Sequence, residues 1–170
     1  MKNGTKLVFA VLTLIAFSSS SFAQATATAT ATATIVTPIS IVEAVNMNFG
    51  NVAVQVGTGG TVVMTPAGVR SVTGGVTLPA VAGVVTAASF TVNGQGTYTY
   101  AITLPVAATT LTSGANTMTA NTFTSTPSGT GALVAGTQTL NVGATLNVAA
   151  AQAPGVYVSG VPFSVTVNYN

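Results

Sequence analysis

Thr97-Tyr98-Thr99-Tyr100-Ala101-Ile102-Thr103-Leu104 sets Tyr98, Tyr100, Ile102 and Leu104 in one phase and Thr97, Thr99, Ala101 and Thr103 in the other. Successive side chains of a strand point to opposite faces, so this octet reads as a strand with a core face and a hydroxylated face. The last ten residues repeat the pattern. Val161, Phe163, Val165, Val167 and Tyr169 share one side, and Pro162, Ser164, Thr166 and Asn168 share the other. Five large side chains on one face predict a strand integral to the core rather than a frayed tail.

Working outward, β-branched runs recur at short intervals: Asn51 to Val56, Thr61 to Thr65, Val69 to Thr73, Ser89 to Asn93, Thr117 to Thr124, Gln138 to Val148 and Val156 to Val158. Turn clusters separate them at Gly57 to Gly60, Pro66 to Gly68, Gly74-Gly75, Asn93 to Gly96, Ser113-Gly114, Pro127 to Gly131, Pro154-Gly155 and Ser159-Gly160. No segment carries helical spacing with caps. Many short strands so punctuated predict an all-β, antiparallel sandwich or barrel. Its core should hold Phe90, Tyr98, Tyr100, Ile102, Phe163 and Val165.

The composition removes most site chemistry. Thr, Ala, Val and Gly fill 31, 27, 26 and 18 of the 170 positions, and the only charged residues are Lys2, Lys6, Glu43 and Arg70. There is no Cys, His, Trp or Asp. General acid and base work lacks its usual groups, a metal cage lacks its ligands, and the hydroxyls have no visible base, so no catalytic, cofactor-binding or metal-binding residue is assigned. A nucleic-acid surface needs a patch of cations, and none exists here. Glu43 and Arg70 are expected to sit apart on the surface. The chain should not be an enzyme.

Lys2 and Lys6 precede an apolar run of 11 residues, Leu7 to Phe17, and then small residues with Ser21-Phe22-Ala23 and Ala23-Gln24-Ala25 as cleavage candidates. That order predicts a secretory signal peptide over residues 1–23. The run is too short for a membrane anchor, which wants about 20 apolar residues. The 147 residues left place the protein in the periplasm, on the cell surface or outside the cell, and without cysteine its stability must come from packing. Residues 24–38 form an Ala/Thr extension, and residues 39–170 a single domain. From Ala25 to Thr34 the extension alternates strictly, with Ile35, Ile39 and Ile41 continuing the Ala phase. It reads as either a linker or a strand to be donated to a neighbour, with those three isoleucines as the pocket-filling residues.

Met47-Asn48-Phe49-Gly50-Asn51-Val52, Ala88-Ser89-Phe90-Thr91-Val92 with Tyr98-Thr99-Tyr100, and the strand from Val161 to Asn170 together resemble domain of unknown function 4402, a family of small exported bacterial proteins. The Asn-Phe-Gly motif and the final strand with its penultimate Tyr169 are more distantly similar to spore-coat-U-like and chaperone-usher pilin subunits. That similarity implies an immunoglobulin-like β-sandwich with an extended N-terminal segment. It also implies a structural subunit whose partners are copies of itself or related subunits, with a periplasmic chaperone and an outer-membrane secretion apparatus as helpers. The chain departs from pilins in having no cysteine pair and in offering Ala where pilin donor strands offer large side chains. The competing expectation is a monomeric binding module for glycan or ice, suggested by recurrent Thr-x-Thr pairs such as Thr117 and Thr119. No fixed period stacks those pairs, and there is no Trp for a glycan site.

Overall fold

The computed structural model describes residues 23–170; the leader expected over residues 1–23 lies outside them except for Ala23. Thirteen strands follow in chain order: β1 Ser40–Val45, β2 Ala53–Val54, β3 Gly60–Met64, β4 Arg70–Gly74, β5 Val76–Thr77, β6 Ala88–Asn93, β7 Thr99–Thr103, β8 Thr109–Ser113, β9 Asn116–Thr126, β10 Thr130–Ala132, β11 Thr137–Val148, β12 Val158–Ser159 and β13 Thr166–Tyr169. Every pairing between them is antiparallel. The fold is all-β, with no helix among the described residues. Contacts group Ile35–Asn170 into one compact unit.

The long strand β11 organises this unit. One of its edges pairs with β9 along most of its length, while the other is shared, β6 taking Thr137 to Val142 and β3 taking Ala144 to Val148. The resulting sheet runs β1-β6-β11-β9-β8-β12, with β3 and β4 attached at the second half of β11. The exchange of partners occurs at Gly143, where a Cβ would stand 2.1 Å from the carbonyl oxygen of Met64. Only glycine lets the two neighbouring strands part company so close to the β11 backbone. Two smaller sheets, β10-β7-β13 and β2-β5, complete the sandwich.

Alternating side chains of β11 feed two apolar clusters. Ala144, Leu146 and Val148 pack with Val62, Met64, Val76, Ala120 and Phe49. Leu140 and Val142 pack with Ala88, Val92, Tyr100, Leu133 and Val167. Phe123 touches both clusters, and its ring lies 4.9 Å from that of Phe163, which also meets Phe90 at 6.4 Å. Of the expected core, Phe90, Tyr100, Ile102, Phe163 and Val165 therefore face inward.

Tyr98 does not. It is 47 % exposed, because β7 begins only at Thr99 and the Tyr98 N–H closes a turn onto Gln95 O at 3.0 Å. Its ring instead stands edge-on to Tyr169, 5.6 Å between centroids. The final strand is also shorter than its alternation predicts. Thr166 pairs with Thr103 at the start of the β13 ladder, and the following Pro105 cannot donate to a ladder, so β7 offers no partner further upstream. Phe163 and Val165 still reach the core from outside the ladder, whereas Val161 is 79 % exposed and is not a core residue.

Candidate functional site

At the end of the sandwich holding Leu146 and Val148, a groove of about 1000 Å³ stays open. Its floor is one face of the large sheet: Leu111 of β8, Met118 of β9, and Leu146 and Val148 of β11. Its two walls are the unbroken runs Asn46 to Val54 and Gln152 to Ser159. Each wall carries one short strand, β2 at Ala53–Val54 in the first and β12 at Val158–Ser159 in the second, and the rest of each run lies outside the strands. β2 pairs only with β5, and β12 pairs only with β8 at the end of the large sheet. Just past β2, Gln55 N–H donates to Gly75 O on the β5 side, and Gln55 O accepts the Ala151 N–H at 3.1 Å, which ties the first wall to the start of the second at that end. No lining residue is charged.

Both walls are held in place by polar contacts. On the first, Asn48 Oδ1 accepts the Gly50 N–H at 2.8 Å and Asn51 Nδ2 donates to Val81 O at 3.0 Å. Arg70 of β4 donates through Nη1 to Phe49 O at 2.5 Å and to Asn51 O at 3.1 Å. The guanidinium is thus a clamp on the wall, a correction to its expected role as a bare surface charge; Glu43 is exposed on β1. On the second wall Gln152 Nε2 donates to Tyr157 Oη at 2.8 Å, and the Tyr157 hydroxyl donates to Ala153 O at 2.7 Å.

The residues expected to serve assembly are separated by the structure. Ile39 and Ile41 are half-buried against the Val92 and Tyr100 cluster of their own unit, where Ser40 to Val45 form an edge strand on β6. Ile35 is 98 % exposed, and residues 23–35 are exposed throughout and in no strand. In the final strand Val167 is buried, and Tyr169 is half-buried with its hydroxyl donating to Thr37 O at 2.8 Å and accepting the Gln95 N–H at 2.6 Å. The Asn48-Phe49-Gly50 block was legible as a motif. The wall opposite was not, since Gln152 to Ser159 reads only as a turn and a short strand. No group of three or more metal-ligating side chains exists among the described residues.

The family described as Domain of unknown function (DUF4402) matches residues 39–169, and the chain belongs to that family. The match starts where the chain enters β1, leaving the Ala/Thr extension outside it. Neither a curated protein nor a solved structure matches the chain.

Proposed function

We propose that the protein is an exported, non-catalytic structural subunit that assembles with copies of itself or related subunits. The observation carrying this reading is the uncharged groove whose two walls each include a short strand with one edge outside any ladder. Such edges recognise extended chain, because main-chain hydrogen bonds supply affinity while alternate side chains set register. A sugar site would call for free planar groups and an ice site for a regular hydroxyl lattice; here Phe49 is buried, Asn48, Asn51, Gln152 and Tyr157 spend polar atoms on holding the walls, and no threonine lines the groove. The nearly uncharged composition leaves little else for recognition to use.

The test is sedimentation velocity and negative-stain microscopy of protein beginning at Gln24. Concentration-dependent oligomers or filaments are expected. A strictly monomeric sample that binds glycan or ice would favour the binding module. Export is checked by fractionating cells that express the full chain, where the product should lack about 23 residues, the leader expected from its charged start and apolar run.

A further inference from the structure

We infer that the groove beside β2 and β12 is the seat of residues Ala29 to Ile35 of a second copy. This rests on the assembly reading above and assigns its two halves. The acceptor offers two short strands, each with one edge outside any ladder, over an apolar floor, and the donor offers an exposed run that alternates like a strand. Docked as a strand, Ala29, Ala31, Ala33 and Ile35 point to the floor and the intervening threonines to solvent. Leu111, Met118, Leu146 and Val148 already project from the floor, so small alanines suit the space that remains, and Ile35 is the one deep anchor. Neither partner carries charge, so docking strands no ion.

The donor ends at Ile35 because the next residues are committed elsewhere. Thr37 N–H donates to Gln95 Oε1 at 3.2 Å, Thr37 O accepts from Tyr169, and Ile39 and Ile41 belong to the cluster around Tyr100. The extension therefore leaves its unit at the Tyr100 end. The near wall of the groove begins only after β1, six residues and about 20 Å of strand further on at roughly 3.3 Å per residue. Donor root and acceptor groove at opposite ends make a heterologous contact, which propagates as a linear filament unless its rotation closes a ring.

The chain has no cysteine, so engineered thiols report cleanly. Ala31→Cys protein is mixed with size-tagged Ala53→Cys protein, and in parallel with Thr130→Cys as the control remote from the groove. Oxidation should link the first pair at least tenfold more than the second. Independently, Ile35→Asp, a change at a fully exposed position, should raise the concentration needed for assembly at least tenfold while leaving the unfolding midpoint unchanged. If the unmodified protein assembles but neither result appears, the groove assignment is wrong and the assembly reading stands. If the unmodified protein stays monomeric at every concentration, both fall. A double variant, Ala31→Cys with Ala53→Cys, that closes within one chain under monomeric conditions overturns the assignment to a second copy.

Discussion

Tyr100 is fully buried, and its hydroxyl donates to Gln138 Oε1 at 2.8 Å, the same oxygen that accepts the Ala132 N–H at 2.9 Å. Burial pushes this phenol above its ordinary value of 10.0. Below about pH 10 both folded and unfolded chains keep the proton; above it the unfolded chain releases its proton first, so stability falls as pH rises toward the folded value. Unfolding midpoints measured from pH 8 to 11 should therefore drop above about 10, and Tyr100→Phe should reduce that drop while costing about 1 kcal/mol for the lost hydrogen bond. Opposite Tyr100 in the ladder stands Gly131, where an added Cβ would meet the ring at 2.2 Å. Gly131→Ala should destabilise by roughly 1–3 kcal/mol through overpacking, read by urea denaturation. Sequence alternation assigns Tyr98 and Tyr100 to one face, and only the turn closed by Gln95 separates their fates.

At the scale of elements, β3, β4, β6 and β11 lie within one residue of where alternation and turn residues place them. Their period is backed by large or β-branched side chains on a buried face. Strand β8 was not legible, because Thr109 to Ser113 carries a single large apolar residue, Leu111, and its pairing with β9 supplies what its own burial does not. Strand β10 hides in a Gly-rich stretch for the same reason: its order comes from Tyr100 and its neighbours in β7. The isoleucines near the N-terminus divide along this line. Ile41 of β1 packs on the Tyr100 cluster, so Ile41→Ala should cost about 1–2 kcal/mol, less than the 2–5 of a fully buried site. Ile35→Ala should leave the unfolding midpoint unchanged. Equal effects of the two substitutions in chemical denaturation would contradict the division.

For the molecule as a whole, the absence of cysteine and of nearly all charge leaves packing to hold the sandwich, through two clusters fed by one central strand. The all-β class was legible because period and punctuation agree along most of the chain. The groove was not, because its walls lie about a hundred residues apart and become walls only when β2 and β12 are left with unpaired edges. In the proposed assembly that groove receives the exposed Ala/Thr extension of a neighbouring copy. Removing residues 24–36 spares Thr37 and its contacts with Gln95 and Tyr169, so the truncated unit should keep its fold. The direct test is sedimentation velocity of the protein beginning at Gln24 beside the protein beginning at Thr37, over the same concentrations. Assemblies are expected from the first and only monomer from the second, with the same unfolding midpoint for the monomeric unit. Assemblies of equal size and stability from both would contradict that expectation.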